Sequence, residues 1–286
     1  MFNFEAIGTK WHIDIYQELD ETEKSKLFSK IKDRIDSFDK TYSRFRADSL
    51  VTKMSKESGI YTLPTDAKAM LSLYRDLYLR TDGLVNPLVG NLISDAGYDA
   101  QYSLKQKKKL EIPPAWDDVL EYKHPTLLIK KPVLLDFGAA GKGYLVDLVG
   151  KVLEENGVKE YCIDAGGDIL HRGTTPIRIG LEDPEDTTKV IGVGILVNGS
   201  ICGSAGNRRA WGDFTHIINP KTLTSPTDII AVWVMAETAL VADALATCLF
   251  FVPASKLSGA YKFEYVLIHK DRSFEKSKDF SGEIFV

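Results

Sequence analysis

Residues 135–147 read LDFGAAGKGYLVD, a stretch in which the end of an apolar run, a loop of small residues and a helical pattern follow one another. The apolar run ends at Asp136, and Lys142 then lies between two glycines. From Tyr144 onward, apolar residues recur at spacings of three and four, which is typical of a helix with one buried face. Gly157 follows the last of them, where a helix C′ residue is expected. The stretch therefore predicts a strand, a small-residue loop and a helix.

The small-residue loop is a candidate anion site. Small side chains let a ligand approach the backbone, and the helix that follows offers free N–H groups and the positive end of its dipole. A phosphate would fit there, with Lys142 as a point charge. A tight connection without a ligand is the more common use of such a loop, and the spacing matches neither the Walker loop nor GxGxxG. Membership of a nucleotide-binding fold therefore does not follow from this stretch.

Length and composition are those of an ordinary globular protein. At 286 residues, with 44% hydrophobic and 27% charged residues, the chain can form one large domain or two closely packed lobes. The formal net charge of -4 gives no basis for non-specific binding to nucleic acid. The three cysteines form no CxxC pair and lie among apolar or small residues, so we expect buried free thiols in a reducing compartment.

The N-terminus carries no targeting signal in the sequence as it stands. It reads as a strand, without the basic and apolar regions or the cleavage site of a signal peptide, and without a lipidation cysteine. No apolar run reaches about 18 residues, so we expect no transmembrane segment. We therefore expect a cytoplasmic protein, unless a leader precedes Met1.

Strand patterns outnumber helix patterns along the chain. Helical periodicity covers residues 22–38, 66–80 and 238–251, whereas residues 4–16 and 229–236 are among several segments with strand character. Because several strand segments are sequence neighbours, we predict an α+β fold with largely antiparallel sheets and flanking helices.

Asp243 and Thr247 are the most informative pair outside the opening stretch. On a helix they lie one turn apart on the same face, and their neighbours are apolar. A carboxylate in such surroundings needs a partner. A hard cation such as Mg²⁺ would satisfy it, together with the hydroxyl and backbone carbonyls. A nearby backbone group or a lysine would also satisfy it, and the spacing alone leaves both interpretations open.

His216 lies at the edge of a strand segment that ends at Asn219. Histidine can act as a general base near neutral pH, although a lone histidine in a strand is more often structural. The other four histidines show no metal-ligand spacing with one another, and no GxSxG, HExxH or Cys/His nucleophile pattern occurs. The residues alone leave a structural and a catalytic role open for His216.

Taken together and in this order, several segments resemble the FAD:protein FMN transferase (ApbE) family, over nearly the whole chain from residue 7 to about 251. The most specific of them read DFGAAGKGYLVD, THIINPKT and ADALATCLF. The full set is Ile7-Gly8-Thr9, the Tyr42/Ser43/Ser49 loop, residues 83–90, residues 135–147, Gly166-Gly167-Asp168, and residues 204–207, 216–222 and 242–247.

The resemblance implies a fold, an activity and a set of ligands. Members of that family bind FAD and, with Mg²⁺, transfer its FMN half to a threonine hydroxyl of an acceptor protein, releasing AMP. The implied fold is ApbE-like with a T-fold-like duplicated architecture, in which residues 1–286 form a single unit of two closely packed lobes with a smaller helical insertion around 40–125. The implied ligands are FAD as bound substrate, Mg²⁺ as cofactor and a protein with a threonine flavinylation motif as acceptor.

Matching residue by residue gives the candidate site that the resemblance implies. His216 would take the proton from the acceptor threonine. The metal would be held by Asp243, Thr247 and the main-chain carbonyl of Ala139. The residues that would contact FAD are Ile7, Tyr42, Leu84, Val85, Asn86, Asp136, Lys142 and Ile218.

The chain departs from the family pattern at three aspartate positions, occupied here by Asn86, Asn207 and Asn219. Leu223 replaces a glycine, and the loop at 204–208 lacks a tyrosine. The loss of three negative charges near one site concerns the acceptor step more than FAD binding. Because the matched aspartates, lysine and histidine remain, an active transferase is the first hypothesis. An FAD diphosphatase and a non-catalytic flavin-binding protein of the same fold are the alternatives.

Overall fold

The computed structural model describes residues 1–285 as a mixture of helices and strands. The helices are α1 (Glu21–Tyr42), α2 (Leu50–Met54), α3 (Ala67–Arg80), α4 (Gly90–Asp95), α5 (Trp116–Val119), α6 (Gly141–Glu155) and α7 (Ala239–Cys248). Short 3-10 helices span Pro87–Val89, Gly206–Arg208 and Ala254–Lys256. Among residues 1–285 no helix is long and apolar enough to cross a lipid bilayer.

The strands run from one end of the chain to the other. They are β1 (Phe2–Ala6), β2 (Thr9–Ile15), β3 (Gly59–Thr62), β4 (Leu120–Lys123), β5 (Thr126–Ile129), β6 (Tyr161–Ala165), β7 (Asp168–Arg172), β8 (Ile177–Glu182), β9 (Val190–Leu196), β10 (Gly199–Ala205), β11 (Ala210–Trp211), β12 (Phe214–Thr215), β13 (Ile229–Ala236), β14 (Glu264–His269), β15 (Phe274–Lys276) and β16 (Gly282–Ile284).

Contacts along the chain divide these elements between two compact units. The sheet unit consists of Met1–Ser37, Ala140–Asn207 and the segment that begins at Thr227. The helix-rich unit consists of Phe38–Ala139 and Arg208–Pro226. The predicted arrangement of two lobes with an insertion around 40–125 stays a prediction.

The sheet unit is built on an eight-stranded sheet in the order β1-β2-β6-β7-β10-β13-β14-β15. Each neighbouring pair of strands is antiparallel. A second antiparallel sheet, β16-β9-β8, shares a hydrophobic cluster with the main sheet, in which Leu181 and Ile191 meet Ile201 and Val266. Helices α6 and α7 pack against each other and against strands of the main sheet. The predicted α+β fold with largely antiparallel sheets is confirmed.

The helix-rich unit contains a small antiparallel sheet, β3-β5-β4, and the short pair β11-β12. Helix α3 buries Met70, Leu73 and Leu77 along one face, as its periodicity predicts. Strand β5 pairs with β4 in a hairpin, and the chain leaves the sheet after Ile129.

The apolar run before the opening loop is not a strand, so this part of the prediction is wrong. Residues 132–137 adopt no regular structure. The N–H of Val133 donates to the carbonyl of Met54 at 3.2 Å, and the N–H of Asp136 donates to the carbonyl of Pro87 at 2.8 Å. The segment is mostly apolar, but its backbone bonds to two separate elements instead of forming a ladder with one strand.

The rest of the opening stretch folds as predicted. Helix α6 begins at Gly141 and ends at Glu155, and Gly157 follows with a left-handed φ of 83°. The N–H of Gly157 and that of Val158 donate to carbonyls of the last helical turn, each at 3.0 Å. This pair of hydrogen bonds is typical of helices that are followed by a glycine in the left-handed conformation. The predicted helix stop is therefore confirmed.

The three cysteines are free thiols. Cys202 and Cys248 are buried, whereas Cys162 is half-buried. The predicted free thiols are confirmed, with complete burial at two of the three positions.

Candidate functional site

The candidate residues divide between the two units. The sheet unit holds Ile7, Lys142, Asp243 and Thr247. The helix-rich unit holds Tyr42, Leu84, Val85, Asn86, Asp136, Ala139, His216 and Ile218. Within each unit, the contacts below determine what each side chain can do.

In the sheet unit, α6 and α7 approach closely at a glycine. A side chain at Gly143 would place its Cβ 2.2 Å from the carbonyl oxygen of Ala239 and 2.7 Å from the Cβ of Asp243, so any larger residue would force the helices apart. The N–H of Gly143, in the first turn of α6, donates to Asp243 Oδ2 at 2.9 Å. Gly143 thus lets the start of α6 lie against a carboxylate of α7.

Asp243 is buried, with 5% of its surface exposed. Burial raises the pKa of this carboxyl well above its ordinary value, and the nearby negative charge of Asp168 adds to the shift, while Lys142 opposes it. Thr247 lies one turn later on α7 and is half-buried. The predicted i, i+4 pair therefore exists on a helix, and the carboxylate takes a backbone N–H as one partner, which is one of the two interpretations that the sequence left open.

Lys142 is paired with Asp168, a residue that the sequence did not connect to it. The Lys142 Nζ lies 2.8 Å from Asp168 Oδ2 and donates to the carbonyl of Ala165 at 3.3 Å. Burial lowers the pKa of the Lys142 ammonium, but Asp168 and Asp243 more than offset this, and the net shift is upward. Lys142 itself is half-buried, whereas Asp168 and Asp243 are buried, and we call the three residues the buried charge cluster.

Asp147 fixes α7 against α6. Its two carboxylate oxygens accept the N–H groups of Ala239 and Leu240, the first two residues of α7. The distances are 2.9 and 2.8 Å. Burial raises the pKa of Asp147 to about 6, against the effect of these two hydrogen bonds. Thr238 Oγ1 accepts the N–H of Val241 and completes the cap. The end of α7 is therefore held in place, and with it the turn that carries the buried carboxylate.

Ile7 lies in the tight turn between β1 and β2. Its φ is 47°, and that of Gly8 is 73°. Two successive positive φ values are typical of the two-residue hairpin turn, but they are unfavourable for a β-branched residue such as isoleucine. Strain of this kind is often found where a side chain has a binding role.

In the helix-rich unit, Asp136 is held by a buried arginine. Arg44 Nε forms a short ion pair with Asp136 Oδ2, and the N–H of Gly138 donates to Oδ1 at 2.7 Å. Arg44 is 6% exposed, donates to the carbonyl of Tyr98 at 2.6 Å and lies over the ring of Phe45. The sequence placed arginines in a polar loop at 41–49 but gave no signal that one of them would bind this carboxylate.

Two of the three asparagines that replace family aspartates keep a backbone contact that an aspartate could make. Asn86 has an extended backbone, which the proline that follows it favours, and its Oδ1 accepts the N–H of Leu88 at 2.9 Å. Asn219 Oδ1 accepts the N–H groups of Lys221 and Thr222 at 2.9 and 3.2 Å. The charge is lost at both positions, but the turn geometry is retained.

Asn207, in the sheet unit, makes a different contact. Its Nδ2 donates to the carbonyl oxygen of Pro184. An aspartate has no donor for that bond. At this position the asparagine therefore anchors the 3-10 helix Gly206–Arg208, which follows β10, to the turn after β8.

The remaining candidates of the helix-rich unit are mostly buried. The Tyr42 ring lies 4.7 Å from that of Phe38, and Ile218 belongs to the hydrophobic cluster around Trp211. His216 follows β12 directly, is half-buried, and donates its backbone N–H to a neighbouring loop carbonyl at 3.0 Å. Val85 is buried, whereas Leu84 and Ala139 are half-buried.

The donor chemistry of the sheet unit fits a hard cation. Within residues 1–285 no group of three or more His, Cys, Asp or Glu side chains is placed to hold a metal ion. The predicted set is of another kind, since Asp243 offers a carboxylate and Thr247 a hydroxyl, and oxygen ligands suit Mg²⁺ or Ca²⁺. Ala139 belongs to the other unit, and its carbonyl as a ligand stays a prediction.

Known proteins resemble this chain in sequence over most of its length. Residues 7–264 match the model of the ApbE family. The FAD:protein FMN transferase of Escherichia coli (strain K12) is 23% identical over 287 residues, which cover 92% of this chain and 81% of that protein. The protein of the same name from Rhodobacter capsulatus is 29% identical over 218 residues, which cover 71% of this chain and 41% of that protein.

Solved structures share the fold. The ApbE protein from Thermotoga maritima superposes with a TM-score of 0.81 at 21% identity, covering 99% of both chains. The flavin transferase ApbE from Vibrio cholerae gives a TM-score of 0.78 at 21% identity, covering 96% of this chain and 95% of that one. With the match to the family model over most of its length, the chain belongs to the ApbE family, whose curated members compared above are transferase enzymes.

Proposed function

We propose that the protein is a Mg²⁺-dependent FAD:protein FMN transferase that moves FMN from FAD to a threonine hydroxyl of an acceptor protein and releases AMP. The observation that carries this proposal is the buried charge cluster at the start of α6, in a chain whose curated relatives bear that name. A lysine, the positive end of a helix dipole and an oxygen-ligand site together suit a pyrophosphate.

The residues of the sheet unit would bind the pyrophosphate of FAD. When bound, Mg²⁺ supplies positive charge that stabilises the phosphate oxygens, and Asp243 and Thr247 would hold it, with the Ala139 carbonyl as a further ligand. Lys142 would orient a non-bridging oxygen and neutralise its developing charge. The strained turn at Ile7 would present its apolar side chain to the flavin.

The residues of the helix-rich unit would hold the rest of the FAD molecule. We assign contacts to Tyr42, Leu84, Val85, Asn86, Asp136 and Ile218. Asp136 would contact FAD while Arg44 holds one of its carboxylate oxygens. The carboxylate is therefore oriented before the ligand arrives. This preorganisation lowers the cost of binding.

His216 would act as the general base. The imidazole takes the proton of the threonine hydroxyl while the hydroxyl oxygen forms a bond to the phosphorus of the FMN phosphoryl group. The bond from that phosphorus to the bridging oxygen breaks, and AMP leaves with the electron pair. A positioned base of this kind contributes on the order of 10²–10⁴-fold to the rate.

The asparagine positions bear on the choice between transfer and the alternatives. Since Asn86 and Asn219 keep their backbone contacts, the local turns do not require the lost charges, which favours an active enzyme over a non-catalytic flavin-binding protein. Hydrolysis of FAD without an acceptor is the activity expected if water replaces the threonine hydroxyl.

The release of AMP from FAD tests the proposal. We expect purified protein with FAD and Mg²⁺ to release AMP in proportion to an added threonine-containing flavinylation peptide, and chelation by EDTA to stop it. Release of AMP and FMN that does not depend on the peptide would indicate a diphosphatase. Binding of FAD with no AMP release under any divalent cation would indicate a binding protein and contradict the proposal.

A further inference from the structure

Asp168 is aimed by a rigid glycine turn. Gly166 and Gly167, which precede it, have φ values of 66° and 96°. The N–H of Gly167 donates to Asp164 Oδ1 at 2.9 Å, and a Cβ at Gly166 would lie 2.0 Å from Thr9 Oγ1. Only glycine fits such a turn, so the direction in which Asp168 leaves it is set by the backbone.

The carboxylate of Asp168 is deeply buried and incompletely satisfied. It is 1% exposed, and neither oxygen has a hydrogen bond of good geometry. The Lys142 ammonium, 2.8 Å from Oδ2, is the cation at ion-pair distance from it among residues 1–285. Cys202 is its register partner on β10 and therefore shares its face of the sheet. A buried carboxylate kept in such surroundings has a costly position that packing alone does not explain.

The buried charge cluster carries a net charge of about -1 when Lys142 is protonated and both carboxylates are ionised, by the ordinary charges of these groups. Asp243 and Asp168 interact electrostatically with each other and with Lys142. If Asp168 were neutral, a divalent cation at Asp243 would lie near the Lys142 ammonium. The carboxylate of Asp243 alone would then have to offset the charges of the cation and of the lysine. With Asp168 ionised, the lysine and the cation can occupy the same buried region.

We propose that Asp168 is a positioning residue for the transfer reaction: it holds the Lys142 ammonium at the start of α6 and supplies the negative charge that lets a divalent cation bind beside it at Asp243. This inference rests on the proposed function, because it requires the cation site at Asp243 and Thr247. Asp168 itself contacts neither the substrate nor the reacting atoms in this scheme. Its effect passes through Lys142.

Cation binding to FAD-free protein tests the inference without any measurement of turnover. Mn²⁺, which replaces Mg²⁺ at oxygen sites, can be titrated while the electron paramagnetic resonance signal of the free ion is followed. We expect Asp168→Asn to weaken Mn²⁺ binding about tenfold, because the cluster loses a negative charge, and Lys142→Gln to strengthen it about tenfold, because it loses a positive one. Damage to the fold would weaken binding in both variants, so a shift in opposite directions reports on charge.

Asp164→Asn is the matched control. It makes the same chemical change two residues before the turn, keeps the oxygen that accepts the Gly167 N–H, and is half-buried, whereas Asp168 is buried. We expect Mn²⁺ affinity within about twofold of the wild type, since solvent and salt screen a more exposed charge. The double variant Asp168→Asn with Lys142→Gln removes both charges of the pair, which protects folding, and we expect an affinity between those of the two single variants.

The outcomes separate this inference from the proposed function. If the wild type binds Mn²⁺ but Asp168→Asn changes its affinity no more than Asp164→Asn does, or if both single variants shift it in the same direction, the role of Asp168 is overturned and the transferase proposal stands. If the wild type shows no saturable Mn²⁺ binding with or without FAD, both are contradicted. Should Asp168→Asn fail to fold, tighter binding by Lys142→Gln supports the inference, and weaker or unchanged binding overturns it.

Discussion

Two ion pairs of the sheet unit, Lys142–Asp168 and Arg272–Asp183, use the same charges in different ways. Arg272 donates from Nη1 and Nη2 to the two oxygens of Asp183, each at 2.9 Å, in a planar fork. Asp183 Oδ1 also accepts the N–H of Glu185 at 2.9 Å. Hydrogen bonds from Arg272 lower the pKa of Asp183, which keeps the carboxylate ionised. Lys142, in contrast, is a point charge beside a carboxylate that lacks aligned bonds.

The difference distinguishes a structural pair from a pair available to a ligand. A bidentate fork satisfies both partners and ties the turn after β8 to the hairpin between β14 and β15. A lysine ammonium has three donors and can turn toward a new acceptor without losing its charge. Unmet hydrogen-bonding capacity in the buried charge cluster is therefore what we expect of a binding site, and full satisfaction at Asp183 is what we expect of a structural one.

The largest effect on the binding side is expected from Asp243→Asn. The amide oxygen can still accept the N–H of Gly143, so we expect a free energy of unfolding equal to or above that of the wild type, because a buried charge is removed. We expect kcat/KM for FMN transfer to fall by about 10²–10³-fold or more, because the oxygen ligand is lost. Steady-state kinetics and urea unfolding check the two expectations. Unchanged kinetics would place the metal elsewhere.

Arg272→Ala tests the structural side of the same contrast. It removes a bidentate pair and leaves Asp183, which is 8% exposed, without its cation, so we expect the free energy of unfolding to fall by about 2–3 kcal/mol. We expect kcat/KM per folded molecule to stay within about twofold, since structural losses act on the folded fraction. Arg272→Lys keeps the positive charge but loses the two parallel hydrogen bonds. We expect its free energy of unfolding to lie between those of the wild type and of Arg272→Ala. A large loss of activity with normal stability would contradict this assignment.

The contact between α6 and α7, beside the buried charge cluster, should also differ from the Arg272–Asp183 pair in its response to pH. Burial raises the pKa of Asp147 to about 6, whereas the unfolded chain keeps a value near 4. Between these values the folded state binds more protons, so the free energy of unfolding contributed by this group falls as pH rises from about 4 to about 6, by about 1–3 kcal/mol. Urea unfolding of the wild type and of Asp147→Asn across this range should show the slope in the former and its reduction in the latter.

The contribution of Asp183 to the free energy of unfolding changes with pH in the opposite direction. Its folded pKa is lowered, so its stabilising contribution is present above the unfolded value near 4 and is lost as the pH falls below it. Comparing the wild type with Arg272→Ala below pH 4 should show their stabilities converging. Parallel curves over the whole acid range would argue that the pair does not stabilise the fold.

The smallest effect is expected from Asn207→Asp. The change removes the donor to the Pro184 carbonyl and adds an acid close to the turn that carries Asp183 and Glu185. We expect a loss of about 1 kcal/mol in the free energy of unfolding and faster amide hydrogen exchange in residues 204–209. Exchange rates equal to those of the wild type would show that the asparagine does not anchor this loop.

Local patterns predicted much of the fold. The helix stop at Gly157 and the i, i+4 pair on α7 each depend on a few neighbouring residues, and each is present in the structure. The apolar residues 132–135 misled the prediction because hydrophobicity indicates burial, whereas a strand also needs a neighbouring strand to pair with.

The partners of the candidate residues could not be predicted, because they are distant in sequence. Arg44 meets Asp136 across 92 residues, and the Gly143 N–H meets Asp243 across 100. Asp147, the last residue of the stretch 135–147, is an acid on a helix that is otherwise largely apolar. This is a local signal of a buried carboxylate with a partner, and the structure shows that it accepts an N–H at the start of α7. The match to a family supplied the candidate list, and long-range contacts supplied its chemistry.

The central claim is that this chain attaches FMN to a threonine. Mass spectrometry of a threonine-containing flavinylation peptide, after incubation with the protein, FAD and Mg²⁺, measures it most directly. We predict one FMN on the threonine with the wild type, a yield lower by about 10²–10⁴-fold at early times with His216→Ala, and none on a peptide with alanine in place of the threonine. An unmodified peptide in the presence of FAD-bound wild-type protein, with Mg²⁺ or Mn²⁺, would contradict the claim.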